Sequence, residues 1–248
     1  MKKGFTLAEV LITLGIVGVV AALTIPNAVG NYQKKMWVTQ LQKAYNQIAT
    51  AANNYMTDNG ISRLNELGSF NIRQFFDKYF TISGYCENDN IDKCLAPIYY
   101  SLDGTENYNA TELMKFAIND FGQYDGKDDE LSEALDKPVN KFLCANVNTG
   151  ATICLTPMGT QKGCTDGIDG CHHMHSVVVV DVNGKSGPNI KGRDYFQFDL
   201  YSDGKIGNNH SIIYNKMDLA AECTNRNVKG YGNTCFTKII NDGWKMDY

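Results

Sequence analysis

The sequence predicts an α+β protein in which a long N-terminal helix, membrane-spanning in its first half and amphipathic in its second, packs against a small antiparallel-sheet head. Three observations carry this prediction. Residues 5–25 form an apolar run in which Glu9 is the one ionisable side chain. From Trp37 to Tyr55, apolar residues recur at three- and four-residue steps, the period of one helix face. Beyond residue 140, β-branched and aromatic runs alternate with Gly-containing turn signals.

The apolar run comes first in the chain. As a helix, residues 5–25 would be about 31 Å long, which matches a hydrocarbon core of about 30 Å. Lys2 and Lys3 precede it, so the positive-inside rule keeps the N-terminus cytoplasmic and sends the rest across the membrane. A carboxylate inside such a segment is costly and calls for a named partner. Cutting the chain between Gly4 and Phe5 would create an α-amino cation at the start of the same helix. The amine of one subunit could then neutralise Glu9 of a staggered neighbour in an apolar bundle, where low dielectric makes the pairing strong. Glu9 would thus set axial register, as a buried polar residue does in a coiled coil. The rival readings are a buried core helix, a plain anchor that gives Glu9 no purpose, and a secretory signal peptide cut near Val20-Ala21-Ala22. Against the last of these, the apolar run continues to Ile25 and carries a carboxylate near its start.

Pro26 closes the apolar run and would typically kink a helix. Trp37, Leu41, Ala44, Tyr45, Ile48, Ala51, Ala52 and Tyr55 then form one apolar face, and Asp58-Asn59-Gly60 is the stop signal. The face predicts packing under a soluble head, with a coiled-coil partner as the alternative. In the head, Asn71 is placed to cap a short helix through Phe80, with Phe75, Phe76, Tyr79 and Phe80 in the core. Residues 111–119 are ambiguous between helix and strand, and residues 122–138 are acidic and polar. Residues 141–147 and 152–155 flank Asn148-Thr149-Gly150 as a hairpin. Residues 176–182 form a β-branched strand running into the turn at Asn183-Gly184. Residues 195–201 alternate, with Phe196, Phe198 and Leu200 on one face, and end at Ser202-Asp203-Gly204. Three to five antiparallel strands are expected.

A hydrophobic fraction of 43% and a charged fraction of 20% argue against wholesale disorder. A formal charge of −4 lacks the basic excess of a nucleic-acid binder. The eight cysteines fall in four close pairs, Cys86/Cys94, Cys144/Cys154, Cys164/Cys171 and Cys223/Cys235, none of them a CxxC knuckle. Neighbour pairing is the preferred reading among the roughly 105 connectivities that eight cysteines allow. Disulfides imply an oxidising compartment. Each short-loop bridge would contribute about 2–3 kcal/mol.

The segment Lys3-Gly4-Phe5-Thr6-Leu7-Ala8-Glu9-Val10-Leu11-Ile12 resembles the class III signal of type IV pilins and type II secretion pseudopilins. The resemblance implies a pilin-like fold whose helix continues past Pro26. It implies cleavage by a prepilin peptidase after Gly4, methylation of Phe5 by the same enzyme, and an assembly role for Glu9. Losing the leader takes Lys2 and Lys3 with it, and the formal charge goes from −4 to −6. The implied partners are identical or related pilin subunits, an inner-membrane assembly platform and its ATPase. The implied location is the bacterial inner membrane as a single-pass precursor with a periplasmic head, then a periplasmic or cell-surface filament. The expected segments are a leader at 1–4, a transmembrane and filament-core helix at 5–25, its amphipathic continuation at 26–59 and a disulfide-tied head at 60–248. A second set of residues resembles the heads of bacterial "type II secretion system proteins" with the same leader. These are Asp181-Val182-Asn183-Gly184, Gly187-Pro188-Asn189, Gly192-Arg193-Asp194-Tyr195-Phe196 and the ending Gly243-Trp244-Lys245-Met246-Asp247-Tyr248.

Candidate chemistry in the head is sparse. Asp181 and Asn183 could offer oxygens to calcium, which some pseudopilin heads hold in a late loop. The pattern departs from an EF-hand, because Lys185 stands at the third ligand position and the Gly comes two residues early. Asp199, Asp203 and Asn208 form a comparable set. Cys171-His172-His173-Met174-His175 holds three of the four histidines and reads as a polar loop, with soft-metal binding as the alternative. No GxSxG, HExxH, P-loop or dinucleotide fingerprint is present. The expected function is therefore non-enzymatic, that of a structural subunit of a type IV pilus or secretion pseudopilus. The alternatives are a minor pilin that binds DNA, a surface or an exported substrate, and a secreted metal-binding protein or enzyme.

Overall fold

A computed structural model of the chain describes residues 4–64, 66, 67, 70–105, 107–119, 142–156, 176–207, 219–226, 232 and 234–248. Helix α1 runs unbroken from Leu7 to Asn59 with Pro26 inside it. Thr6 and Glu9 start it, and Gly60 stops it. Gly60 takes a left-handed φ of 63°, so the Ile61 N–H can reach back to the Met56 carbonyl at 3.0 Å. The helix is long and apolar enough to cross a membrane. Its early side chains are exposed, Leu7 by 80% and Leu23 by 70%.

Trp37–Tyr248 pack as one unit. After α1 come α2 (Ile72–Tyr79), β1 (Ile82–Cys86), a 3₁₀ turn (Asn88–Lys93), β2 (Ile98–Tyr100), β3 (Asn107–Asn109) and α3 (Ala110–Asn119). Then follow β4 (Leu143–Val147), β5 (Thr152–Leu155), β6 (Ser176–Asp181), β7 (Tyr195–Leu200), β8 (Ile206–Gly207), α4 (Leu219–Glu222) and α5 (Cys235–Asn241). Asn71 caps α2 as expected, its Oδ1 accepting from the Gln74 N–H at 3.0 Å. The ambiguous stretch from 111 resolves as helix α3.

The antiparallel sheet is larger than expected. Six strands lie in the order β1-β4-β5-β6-β7-β8, and β2 and β3 pair separately. The strands missing from the sequence reading, β1, β2, β3 and β8, are those without a turn-bounded apolar pattern. β1 carries Gly84 and a break in register, and β8 is two residues long. Neither shows a period of its own, and each is specified by its neighbour in the sheet.

The two faces of the sheet explain why the central strands lack polar alternation. On one face, Val178, Val180, Phe196, Phe198 and Leu200 pack with Leu41, Ala44, Ile48 and Ala52 of α1. On the other, Val177, Val179 and Tyr195 pack with Leu95, Tyr99, Leu113 and Met114. A strand buried on both sides reads as a continuous apolar run, as β6 does. Disulfides join Cys86 to Cys94, Cys144 to Cys154 across paired strands, and Cys223 to Cys235. Cys164 and Cys171, the histidine-rich run 172–175 and the acidic region 122–138 lie outside the described residues.

Candidate assembly site

The assembly candidates stand at the head of α1. Gly4, Phe5 and Thr6 precede the first helical turn, and Phe5 is 89% exposed. The Thr6 N–H and the Thr6 hydroxyl both donate to Glu9 Oε2, each at 2.8 Å. The Glu9 N–H donates back to Thr6 Oγ1 at 3.3 Å. This is a capping box, Thr at the N-cap and Glu three residues on, which satisfies N–H groups that a helix start leaves without partners. Sequence reasoning gave Glu9 an intermolecular partner only. The Thr-x-x-Glu pattern, legible at positions 6 and 9, was the signal for the local one.

The box shares the acid's load without discharging it. Its bonds are to neutral donors, and both of its accepting bonds fall on Oε2. A carboxylate keeps further accepting capacity on its second oxygen. A cation arriving at Glu9 could therefore add to the box rather than dismantle it.

In the head, Asp181 and Asn183 come together with partners the sequence did not nominate. Asp181 is fully buried. The Tyr99 hydroxyl donates to its Oδ2 at 2.5 Å, and the Asn183 N–H donates to its Oδ1 at 3.2 Å. Asp194, also fully buried, accepts from the Asn189 and Ile190 N–H groups at 2.7 and 2.6 Å. Burial pushes the Asp181 carboxyl well above its ordinary range, and the nearby Asp194 adds to the rise. Burial raises Asp194 as well. The Tyr99–Asp181 bond ties strand β2 to the end of β6, and Asp194 closes the connection that follows onto its own backbone. Nothing local in the sequence links Tyr99 to Asp181, 82 residues apart.

The late-loop residues and the chain end also meet. Tyr248 Oη donates to the Gly192 carbonyl at 2.5 Å, and Trp244 lies edge-on to Tyr45 at 5.3 Å between ring centroids. Gly192 has a φ of 81°, and a Cβ there would sit 2.7 Å from Cys235 Sγ. The two pieces of the second resemblance thus form one packed corner beside the Cys223–Cys235 bridge.

Of the alternative oxygen set, Asp199 is buried and accepts from Tyr201 Oη at 3.4 Å. Asp203 Oδ2 is taken by Lys205 Nζ at 2.7 Å, and Asn208 lies outside the described residues. Among the described residues, no three His, Cys, Asp or Glu side chains group as a metal site.

Residues 1–25 match the family model of the prokaryotic N-terminal methylation motif. That motif is the signature of type IV pilin and pseudopilin precursors, and it supports a protein processed as they are. With the apolar helix, it fits a membrane-anchored precursor, and it implies a prepilin peptidase as processing enzyme and assembly with other pilins. Its bearing on activity is toward a structural protein rather than an enzyme. Neither a curated protein nor a solved structure matches the chain.

Proposed function

We propose that this chain is a structural subunit of a type IV pilus or a type II secretion pseudopilus. A prepilin peptidase cuts after Gly4 and methylates Phe5, and subunits polymerise through residues 5–25. The segments are then a leader at 1–4, a filament-core helix at 5–25, its amphipathic continuation at 26–59 and a periplasmic head at 60–248. An inner-membrane platform and its ATPase drive the assembly. The observation that carries the reading is Glu9, an acid held at the start of an apolar membrane-length helix inside the methylation motif. The capping box accounts for its position along the helix, and a neighbouring subunit's amine accounts for its charge. Mass spectrometry of the mature chain tests the processing step. The expected terminus is N-methylated Phe5, and a terminus near Leu23 would support an ordinary secretory signal instead.

A specific observation also favours calcium in the head. Asn183 Oδ1 has no hydrogen-bond partner although it lies beside the buried acids Asp181 and Asp194. Oxygen-only donors suit a hard cation. Asp181 and Asn183 would hold it, and Asp181 would have to share its bonds from Tyr99 and the Asn183 N–H. Millimolar calcium should then raise the melting temperature of the isolated chain by several degrees, and Asp181→Asn should abolish the rise. An unchanged melting curve removes the metal from the account.

A further inference from the structure

Cys86 at the end of β1 stands directly opposite Cys144 of β4, and Cys144 stands directly opposite Cys154 of β5. Opposed residues of adjacent antiparallel strands project from the same face, so these three cysteines form a row across three strands. Cys94 joins the row through its bridge to Cys86, and all four residues are buried in one cluster. The Thr152 hydroxyl donates to the Cys94 carbonyl at 3.0 Å, which holds Cys94 against β5. Cys144 thus has two opposed cysteines and is bonded to one of them, Cys154.

Ladder geometry ranks the two. The Val147 N–H donates to the Ala151 carbonyl, so Ala145 and Ile153 are the next hydrogen-bonded pair, and Cys144 and Cys154 are a non-hydrogen-bonded one. The backbone of Cys144 then faces β1, which makes Cys86 and Cys144 a hydrogen-bonded pair. Such a pair sets its Cα atoms about 5.5 Å apart, within the span of a disulfide but wider than a non-hydrogen-bonded pair. Cys154 is the better resting partner, and Cys86 is within reach for transit. Access runs the other way. β4 and β5 lie inside the sheet, whereas β1 is its edge strand and leads into the 3₁₀ turn that ends beside Cys94. Opening an edge strand and a turn disrupts less structure than opening two interior strands, so a reagent meets Cys86 and Cys94 first.

We propose that the inner bridge Cys144–Cys154 is made by relay through Cys86, and that the edge pair is the entry point for a disulfide-bearing oxidant. The oxidant first joins the Cys86 and Cys94 thiols, its own disulfide taking up their electrons and protons. The Cys144 thiolate attacks Cys86 Sγ, forming Cys86–Cys144 and expelling the Cys94 thiolate. The Cys154 thiolate attacks Cys144 Sγ, forming the inner bridge and expelling the Cys86 thiolate. Each exchange replaces one disulfide and one thiolate by another of each, with the attacking thiol's proton passing to the expelled sulfur. A second oxidant disulfide then restores Cys86–Cys94. The relay belongs to the head alone and does not depend on polymerisation.

The full chain, purified in detergent and reduced without denaturant, is re-oxidised with oxidised glutathione while mass spectrometry of its peptides follows each bridge. Cys86→Ser and Cys94→Ser both delete the outer bridge, but only Cys94→Ser keeps the relay sulfur, which glutathione can load directly. The inner bridge should form near the wild-type rate in Cys94→Ser and at least about tenfold more slowly in Cys86→Ser. Equal rates in the two variants overturn the relay, and so does a loss confined to Cys94→Ser. In Cys154→Ser the second exchange has no attacking sulfur, so a Cys86–Cys144 bridge should appear, with Cys94 open to alkylation. Finding only Cys86–Cys94 in that variant, with Cys144 alkylated, overturns the relay as well.

Discussion

Asp103 shows how much one side chain can do through short local bonds. Its Oδ1 accepts from the Ser101 hydroxyl at 2.9 Å, the Thr105 N–H at 3.1 Å and the Thr105 hydroxyl at 2.7 Å. Thr105, then Ser101 and the Arg226 guanidinium, hold its carboxyl down at about 2 against an ordinary 3.8. A depressed carboxyl stabilises the fold above its unfolded value, and that contribution is lost as pH falls through the folded value. The melting temperature of wild type should therefore exceed that of Asp103→Asn at pH 6, with the gap closing between about pH 4 and pH 2. A gap that stays constant over that range would contradict the assignment. Glu9, near the start of the chain, caught the eye in the sequence because an ionisable residue inside an apolar run stands out unaided. Asp194 and Tyr99 were not legible. Tyr99 is ordinary locally and acquires its role only when β2 meets the end of β6, whereas Asp194 bonds backbone N–H groups of its own loop, which no motif in the sequence marked.

At the scale of elements, α1 was the most legible part of the protein. Its apolar period from Trp37 to Tyr55 predicted a buried face, and Trp37, Leu41, Ala44, Ile48, Ala51, Ala52 and Tyr55 are buried. The hairpin at Asn148-Thr149-Gly150 and the β-branched strand β6 were readable for the same reason, a strong pattern bounded by a turn residue. Strands β1, β2, β3 and β8 were not, since none of them pairs an apolar run with a turn signal that would mark its ends. The Asn183-Gly184 turn opens a longer connection that reaches β7 only at Tyr195, because Asp194 folds the intervening loop onto its own backbone. Since Ile48 is fully buried between α1 and the sheet, Ile48→Ala should cost about 2–5 kcal/mol in denaturant unfolding of the head. A loss below about 0.5 kcal/mol, the range of surface substitutions, would mean that α1 does not pack there.

Across the whole molecule, the sequence divides its tasks along the chain. Residues 5–25 are apolar enough for a bilayer, and the remainder carries nearly all of the charge together with the disulfides. Cross-links of that kind belong to an oxidising compartment, which agrees with a head carried outward across the membrane. The methylation motif was legible in the first dozen residues, where Lys2, Lys3, Gly4, Phe5 and Glu9 fall at fixed positions. Partners are not written so compactly, since recognition of any other protein depends on surfaces that exist only after folding. The central claim is that a neighbouring subunit's freed amine neutralises Glu9. The direct test compares Glu9→Gln with wild type for membrane-inserted precursor, cleavage before Phe5, and sheared polymer. Because the variant keeps the capping-box geometry but loses the charge, insertion and cleavage should match wild type while polymer falls at least about tenfold. Polymer at the wild-type level from Glu9→Gln would contradict the account.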